Sequence, residues 1–551
     1  MYIRTTRRTN KDGSVVEYLQ LAENQWDPDA GRSQARILYS FGRADQLDAD
    51  QIRRLVKSLA RFLSPEEAAQ ATAAVDGHPA LDVVDSRPWG GAWGLHHLWR
   101  QLGIPEALTP LLRKRSYRTP IERALFAMVA NRALAPQSKL STSDWVAQEV
   151  ALPGVDTIPV QQLYRAMDCL LESHEALQFA VYDQLAHLLN LEVDLLYFNT
   201  TSTYFETDEP DGDEGFRRFG HSKDHRPDRP QIVIGLAVTR EGLPIRCWSW
   251  PGHTSDQAVV EQVKADLVGW KLGRVVTVVD RGMVSQDNLR TFQRAGGHYI
   301  AGVKLRAGQA EVEAALSKRG RFTHVRDNLR IKEIIVGDGE ARQRYVLAYN
   351  PREAERQQAK REALLDQVTA HLQELRALEG AAHTKAHCAL RNHRTYGRYL
   401  RMLKTGELKI DRTKVREEAF LDGKYLLTTS DDTLDAADVA LGYKQLLQVE
   451  DAFRTLKSHL KIRPIYHSKP ERIQAHVVLC WLALLLVRVA ENRTEESWAW
   501  IRRTLDRLHL VTLQGAHGTV HQRTELTADQ TRLFRQLQVE PPPRIAEMSP
   551  Q

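Results

Sequence analysis

The spacing of apolar and polar positions divides the chain into segments with different secondary structure. Residues 1–42 alternate apolar and polar positions in two places, which predicts a small β-rich start. Residues 48–74 repeat apolar side chains at helical intervals, and residues 90–190 continue as a helical block. Runs of β-branched and aromatic residues then predict strands at 194–203, 231–239, 243–250 and 274–279.

The order of the elements after residue 190 indicates the class of fold. The first three strands are joined as an antiparallel meander, and a helix at 256–270 precedes the fourth strand. A ribonuclease H-like fold begins with this order of elements. We therefore expect an α/β protein with a ribonuclease H-like core.

The pattern breaks after about residue 306, which predicts a large insertion domain within this core. The elements expected from there on are strands at 330–336, 343–348 and 424–429 and helices at 353–378, 435–460 and 473–489. The tail contains three consecutive prolines at 541–543 and is expected to be loose.

These patterns divide the chain into six segments. The first is a β-rich and helical domain, the second a helical region, and the third the first part of the core. The insertion domain, the second part of the core with its glutamate-bearing helix, and a C-terminal helical region with the tail complete the chain. The boundaries are 1–80, 81–190, 191–305, 306–430, 431–495 and 496–551.

Composition excludes several classes of protein. The four cysteines are far apart and form no CxxC pair, so neither a zinc knuckle nor a disulfide framework is expected. The first residues are polar and basic and do not resemble a signal peptide. The most apolar run, 477–487, is too short to span a bilayer and predicts a buried helix. We expect a soluble, cytoplasmic protein without a membrane partner.

Positive charge is concentrated locally, although the net charge is only +6. Ten Lys or Arg residues lie between Lys385 and Arg416, opposed only by Glu407 and Asp411. Such a concentration favours a polyanion partner through contacts with phosphates, and a solvated helix face is the equally open alternative.

Three shorter basic segments are further candidates for DNA contacts. A cluster before the helix at 121 is either a phosphate contact or an exposed helix end. The loop after the first core strand carries cations and histidines, and basic residues alternate with aromatic ones just before it. The candidates are Arg113, Lys114, Arg115, Arg217, Arg218, His221, Lys223 and Arg226.

Asp280 is a candidate catalytic carboxylate because it ends the fourth strand of the core. Arg281 and Gly282 follow it, and the glycine permits a sharp exit from the strand. A carboxylate at a strand end that is followed by a loop is well placed for an active site. It is also common as a helix cap or a turn residue.

Glu450 is the second candidate carboxylate. In one continuous helix, Tyr443, Glu450, Arg454 and Lys457 share a face, so the glutamate is expected to be buried between an aromatic ring and two cations. Burial of this kind is costly in an ordinary core but suits a face that meets metal and DNA phosphate. The alternative is a surface salt bridge between Glu450 and Arg454.

The segment Tyr443–Lys457 resembles the last catalytic helix of bacterial insertion-sequence transposases of the DDE class, which carry a Tyr, Arg, Glu and Lys signature there. The resemblance covers roughly residues 110–490. Several separated motifs in the right order are more specific than any single one. The other similar segments are Leu134–Lys139, Gly220–Asp228, Gly252–Asp256, Val279–Met283 and Arg463–His467.

The resemblance implies a cut-and-paste DNA transposase. It implies a two-metal site for Mg²⁺ or Mn²⁺, which is held at positions 199, 280 and 450. Its implied partners are the terminal inverted repeats and target DNA, both double-stranded, and a second copy of the chain in the DNA complex. The residues that it places near DNA are Tyr443, Arg454, Lys457 and Arg281.

Two positions depart from the family pattern. The arginine of the signature is replaced by Leu446, and the first aspartate is replaced by Asn199. Asparagine has the shape of aspartate but no charge, so we expect a catalytically dead or severely impaired chain. It is either a near-isosteric replacement introduced to trap intact DNA, which the otherwise intact frame favours, or a natural inactivation.

Two other functions remain alternatives. The first is a transposase-derived protein that binds DNA without cutting it, which only Asn199 supports directly. The second is a ribonuclease H-like nuclease without strand transfer, which the long insertion and the upstream DNA-binding block disfavour.

Overall fold

The computed structural model describes most of the chain as two compact units. It leaves out residues 12, 28–30, 77–80, 113–119, 189–194, 213–214, 269, 271–275, 306–309, 340–341, 516–517 and 551. The first unit comprises residues 1–88, 508–526 and 541–551, and the second comprises residues 89–507 and 527–540.

The first unit begins with the predicted β-rich segment. Its first elements are β1 (Tyr2–Thr9), β2 (Val15–Asp27), β3 (Arg32–Arg43), α1 (Ala49–Ala60), α2 (Pro65–Asp76) and β4 (Asp82–Pro88). The strands β1, β2 and β3 form an antiparallel meander. The helical pattern predicted at 48–74 is confirmed as two helices, because the first ends at Ala60 and Pro65 starts the second, where proline is favoured.

The second unit opens with the predicted helical block. Its helices are α3 (Gly90–Gln101), α4 (Ile104–Leu112), α5 (Ile121–Leu134), α6 (Lys139–Gln148), α7 (Val160–Glu172) and α8 (His174–Leu188). The residues of α5 are buried on nearly all sides of the helix, whereas those of α7 are buried along one stripe at helical spacing. The central helix α5 therefore carries no polar face, as expected for a helix enclosed by others.

Five strands follow and form one end of a nine-stranded mixed sheet, with β7 at its edge. The elements are β5 (Leu195–Tyr204), β6 (Gln231–Val238), β7 (Pro244–Pro251), α9 (Val260–Val268), β8 (Val276–Val279), α10 (Gln286–Gln293) and β9 (His298–Val303). β5, β6 and β7 pair antiparallel, while β5, β8 and β9 run parallel. The order across the sheet is β7-β6-β5-β8-β9.

The next segment extends this sheet and adds helices. Its elements are α11 (Ala310–Ser317), β10 (Thr323–Arg326), β11 (Leu329–Val336), β12 (Gln343–Tyr349), α12 (Pro351–Arg376), α13 (Gly380–Asn392), β13 (Leu400–Met402), β14 (Leu408–Ile410), α14 (Arg412–Phe420) and β15 (Lys424–Thr429). β15 pairs with β9 and β12, so the sheet continues as β9-β15-β12-β11-β10. Apolar side chains of α12 pack with the small hairpin β13–β14 in a separate cluster.

The last elements belong to both units. They are α15 (Ala436–Lys444), α16 (Leu447–Ser458), α17 (Pro470–Thr494), α18 (Trp498–Leu505), β16 (His509–Gly515), β17 (Gly518–Arg523), α19 (Ala528–Leu537) and β18 (Ile545–Pro550). In the first unit, β4, β16, β17 and β18 form a sheet. The expectation of a loose tail is wrong, because β18 adds its backbone to the edge at β17.

The helix α17 is the apolar helix that the sequence predicts to be buried. It packs against α5, α7 and β7, and 89% of its most apolar window lies inside the protein. Among the described residues, it is the one helix long and apolar enough to cross a membrane. Its burial is that of a core helix, which confirms the prediction for residues 477–487.

We expect Asp422→Asn to lower the stability of the segment around α12. Asp422 pairs with Arg361 at 2.6 Å, and the Arg361 side chain is only 9% exposed. Loss of the carboxylate charge leaves a buried guanidinium uncompensated, at a cost of about 3 kcal/mol. Thermal unfolding and hydrogen exchange of α12 measure this cost. Asp287→Asn breaks the exposed pair with Arg290 and is the control; an equal effect of both changes would contradict the prediction.

Candidate active site

Asn199 lies in the middle of β5, which pairs with β6 on one side and with β8 on the other. Only Asn199 and Tyr204 among the ten residues of β5 are incompletely buried. The Oδ1 atom of Asn199 accepts a hydrogen bond from the backbone N–H of Thr200 at 2.8 Å. The Asn199 amide is therefore partly accessible to solvent, whereas its neighbours in the strand are buried.

Asp280 lies beside Asn199 on the neighbouring strand. β5 and β8 run parallel, and their last paired residues are Phe198 and Val279. The next residues along the chain are Asn199 in β5 and Asp280 directly after β8, and neighbouring strands are about 4.8 Å apart. The parallel register thus brings together two positions that are far apart in sequence.

Tyr443 covers Asp280 from the end of α15. Its hydroxyl donates a hydrogen bond to Oδ1 of Asp280 at 3.3 Å. Burial and the charge of Asp280 raise the pKa of Tyr443, so the hydroxyl stays protonated as a donor at neutral pH. The ring lies over Gly302 on β9, where a Cβ atom would be 2.3 Å from the Tyr443 oxygen. The absence of a side chain at Gly302 therefore permits this contact.

Glu450 lies on a different helix from Tyr443, so the expectation of one continuous helix with a shared face is wrong. The chain turns at Gln445 and Leu446, where the N–H groups of Leu446 and Gln448 bond to carbonyls three residues earlier. Such tight bonds interrupt the α-helical pattern. The Gln445 side chain also accepts a hydrogen bond from Tyr197 of β5 at 2.6 Å, which holds the turn against the sheet.

Glu450 lies in the first turn of α16 and is exposed rather than buried as expected. Arg454 forms its ion pair with Asp451 at 2.8 Å. Partial loss of solvation raises the pKa of Glu450, and the negative charge of Asp280 raises it further. The two carboxyl groups therefore lie within electrostatic range, and α16 packs against β5.

Lys223 connects the loop after β5 to the strand itself. Its ammonium donates to the backbone oxygen of Thr200 at 2.9 Å, to the Thr200 hydroxyl at 2.7 Å and to Oδ2 of Asp256 at 3.0 Å. Asp256 also accepts from the Thr200 hydroxyl. A paired cation thus stands one residue away from Asn199.

Asp224 ties the same loop to the end of α16. Its two carboxylate oxygens accept from Lys457 at 2.8 Å and from Arg463 at 2.5 Å. The Lys457 side chain is only 20% exposed, so the charge of this predicted DNA contact is largely taken up inside the protein. The sequence analysis assigned no role to Asp224 or Asp256. Both lie within the segments that resemble the family, Gly220–Asp228 and Gly252–Asp256, which was the available signal.

The other predicted DNA-binding residues divide into paired and exposed groups. Arg226 pairs with Asp228, Arg217 pairs with Asp211, and Arg218 donates to the backbone oxygen of Gly215. His221 and Arg281 are exposed to solvent. Arg113, Lys114 and Arg115 lie outside the described residues.

The candidate oxygen donors of this site belong to two carboxylates and one amide. Within the described part of the chain, no group of three or more His, Cys, Asp or Glu side chains is arranged to hold a metal ion. Asp280 and Glu450 supply two negative charges, and Asn199 supplies a neutral carbonyl oxygen.

The sequence matches the transposase DDE domain family over residues 202–486, a little more than half of the chain. The chain belongs to the DDE transposases. Residues 3–71 of this transposase match the N-terminal domain of the IS1634 family of transposases, which confirms the predicted insertion-sequence family. The DDE match contains Asp280 and Glu450 and begins three residues after Asn199. DDE transposase domains generally depend on a divalent metal.

Two further comparisons add little about the transposase. No curated protein matches it. A solved structure entitled a piggyBac transposase synaptic complex with hairpin DNA is 11% identical, with a TM-score of 0.37. The likeness covers 75% of this chain and 79% of that chain, and at this TM-score it transfers no feature to the transposase.

We expect Gly302→Ala to displace Tyr443 from Asp280. The new Cβ atom would overlap the Tyr443 hydroxyl, and overpacking of this kind costs about 1–3 kcal/mol. A double-mutant cycle with Tyr443→Ala, followed by thermal unfolding, measures the coupling, because the cost should vanish without the ring. Gly282→Ala is the control, since its Cβ would meet no atom closer than 3.4 Å. Additive effects of Gly302→Ala and Tyr443→Ala would contradict this geometry.

We expect Asp224→Asn to loosen the loop after β5. The change leaves Lys457 and Arg463 without their shared counter-charge in a partly buried place, at a cost of about 2 kcal/mol. Thermal unfolding measures the loss, and hydrogen exchange of residues 221–229 locates it. The control is Asp228→Asn in the same loop, whose pair with Arg226 is more exposed. Unchanged exchange in this loop would show that the two ion pairs do not order it.

Proposed function

We propose that this protein is the transposase of an insertion sequence, with a ribonuclease H-like catalytic core, that binds terminal inverted repeats and cuts and joins DNA in a metal-dependent, cut-and-paste reaction. Asn199 impairs that reaction in this chain. The observation that carries the proposal is the convergence of Asn199, Asp280 and Glu450 from two parallel strands and a helix. The family match to transposase DDE domains supports the class of reaction.

The strand order supports a ribonuclease H-like core. Three antiparallel strands are followed by two that run parallel to the first, in the order β7-β6-β5-β8-β9. This arrangement continues the meander, helix and strand that the sequence predicts. The insertion domain at 306–430 separates β9 from the helices α15 and α16, which carry Tyr443 and Glu450.

The donor set fits divalent cations such as Mg²⁺ or Mn²⁺, which prefer oxygen ligands. Bound at such a site, divalent ions would supply positive charge to the attacking and leaving oxygens. Asp280 and Glu450 would hold them through carboxylate oxygens, with Asp280 oriented by the hydrogen bond from Tyr443. Asn199 would offer one neutral oxygen, which also accepts from Thr200 N–H, so this chain would hold the ions more weakly than one with a third carboxylate.

Exposed cations and a basic cleft support contact with double-stranded DNA. Arg454, His221 and Arg281 are exposed around the site, and Lys223 stands beside Thr200. A cleft of about 760 Å³ in the insertion domain is lined by five cations, three carboxylates and several aromatic side chains, and its excess of positive charge suits phosphates. The lining side chains that serve this contact are Arg330, Arg412, Arg416, Lys424, Phe322 and Phe420.

The proposed partners are the terminal repeats, target DNA and a second copy of the transposase. A reaction that releases an element must cut both of its ends, so a homodimer can hold one end in each active site. We assign Arg113, Lys114, Arg115, Arg217, Arg218 and Arg226 to phosphate contacts along the bound ends. Tyr443 acts mainly on Asp280, because its hydroxyl is already donated there.

One observation favours a second function, namely a transposase-derived protein that binds element ends without cutting. Asn199 removes one of three metal-binding charges, while the remaining ion pairs that organise the site are intact. Such a chain keeps its DNA-binding surface and loses the chemistry. Recovery of cleavage in Asn199→Asp would favour the transposase, and its failure would favour this second function.

We expect Asn199→Asp to restore nicking of a DNA fragment that carries the element end. The aspartate adds the missing negative charge beside Asp280, and the loss of one such metal ligand typically lowers turnover by orders of magnitude. Nicking is measured on labelled DNA with Mg²⁺ or Mn²⁺, and DNA binding is measured separately by a mobility shift.

The matched control is the double variant Asn199→Asp with Asp280→Asn. It keeps the number of negative charges of the unaltered chain but moves the uncharged amide from position 199 to position 280. We expect this control to bind the end and not to cut it. Cutting by the unaltered chain at the same rate as Asn199→Asp would overturn the inactivation by Asn199. Tight binding by every variant without any cutting would instead favour the non-catalytic DNA-binding protein.

A further inference from the structure

The helix α1 carries a row of apolar side chains that remain exposed in the first unit. Ile52, Leu55 and Leu59 are 41%, 40% and 56% exposed, and Phe62, in the turn that follows the helix, is 87% exposed. These positions are three, four and three residues apart, so they line one side of the helix. We call these four residues the α1 stripe.

The neighbouring helix α2 packs against a different side of α1. On α1, Ala60 is buried and Val56 is half-buried, and both lie beside the α1 stripe on the helix surface. A surface helix of a folded protein normally buries its whole apolar face. The α1 stripe is therefore the part of this face that the described residues leave open to solvent.

The charged residues of α1 lie on the side away from the α1 stripe. They are Asp50, Arg53, Arg54, Lys57 and Arg61. Arg53 pairs with Asp50 at 2.6 Å, and the residues that flank the stripe, Gln51 and Ser58, are uncharged. A DNA backbone would thus meet no cation on the stripe, whereas an apolar partner would meet no charge there.

The spacing of the α1 stripe is the same from either end. When two α1 helices pair antiparallel about a two-fold axis, Ile52 lies opposite Phe62 of the partner subunit. In the same pairing, Leu55 lies opposite Leu59 of the partner subunit. A two-fold interface between identical chains requires a surface that is complementary to itself in this way. The symmetry of the stripe therefore favours a second copy over an unrelated partner.

The size of the α1 stripe also fits a second copy. Exposed apolar patches of more than a few hundred Å² mark interaction sites in soluble proteins. Pairing of two α1 stripes would remove roughly 1,000 Å² of surface from water, which is at the low end for a specific interface. A contact of this size gives a weak dimer in free solution, and DNA that binds both copies strengthens it.

We propose that two copies of this chain associate through the α1 stripe, as an antiparallel pair of α1 helices about a two-fold axis. The proposal rests on the proposed function, which needs one copy for each element end, and it names the surface that joins the copies. The stripe lies within residues 3–71, which match the N-terminal domain, and outside the DDE match at 202–486. Substitutions in it therefore leave the candidate catalytic residues unchanged.

The first arm of the test measures association of the full chain without DNA, by sedimentation equilibrium over a wide range of concentrations. We expect the unaltered chain to dimerise with a Kd of roughly 10 μM. Leu55→Glu and Leu59→Lys should each raise the Kd at least about tenfold, because each sets a charge against an apolar side chain. The control is Val83→Lys, at a 67% exposed position of β4 in the same unit, and it should leave the Kd unchanged.

An equimolar mixture of the Leu55→Glu and Leu59→Lys chains tests the antiparallel pairing. In the mixed dimer, the new carboxylate of one chain lies opposite the new ammonium of the other, and the second such contact keeps two leucines. We expect the mixture to dimerise with nearly the affinity of the unaltered chain, while each variant alone stays monomeric. Ile52→Glu and Phe62→Lys, at the two ends of the stripe, repeat the test if a leucine variant does not fold.

The second arm measures binding to a DNA fragment that carries one element end, by a mobility shift. We expect the stripe variants to bind a single end as tightly as the unaltered chain, because the stripe carries no cation. They should fail to form the slower complex that contains two ends. The mixture of the two leucine variants should form that complex again.

The outcomes separate the interface from the proposed function. Loss of the dimer in the single variants and its recovery in the mixture support the proposal. An unaltered chain that stays monomeric, variants that dimerise as it does, or a mixture without recovery overturn the interface and leave DNA binding by the transposase untouched. Weaker binding of a single end by the stripe variants, but not by Val83→Lys, assigns the stripe to DNA and also overturns the interface. A dimer that depends on the stripe, in a protein that binds no element end, overturns the proposed function and leaves the interface standing.

Discussion

Parallel pairing of β5 with β8 is the constraint on which the candidate active site depends. It sets Asn199 and Asp280 side by side, although 80 residues of helix, strand and loop separate them in sequence. Parallel strands require a crossover between them, and the crossover through β6, β7 and α9 supplies Asp256 close to the same strand end. The pairing therefore determines the positions of both candidate residues and of the polar residues around them.

Ion pairs then attach loops and helices to this rigid sheet. Lys223 joins Asp256 to Thr200, and Asp224 joins the same loop to Lys457 and Arg463. Each pair is partly buried, where charges interact more strongly than at an exposed surface. Several cations that the sequence assigns to DNA thus also maintain the site, so their removal changes structure and DNA binding together.

The sequence by itself determined the secondary structure of the core, the family and the three candidate positions. Strands near 195, 231, 244 and 276 could be predicted because buried strands concentrate β-branched and aromatic residues, which is a local signal. The break between α15 and α16, the exposure of Glu450 and the pairing of β18 were decided only by tertiary structure. Each of these depends on contacts between distant residues, such as the bond from Tyr197 to Gln445 that holds the break against the sheet. The partners of Lys223, Lys457 and Asp280 were hidden for the same reason, since a charge in a sequence does not show which distant side chain will neutralise it.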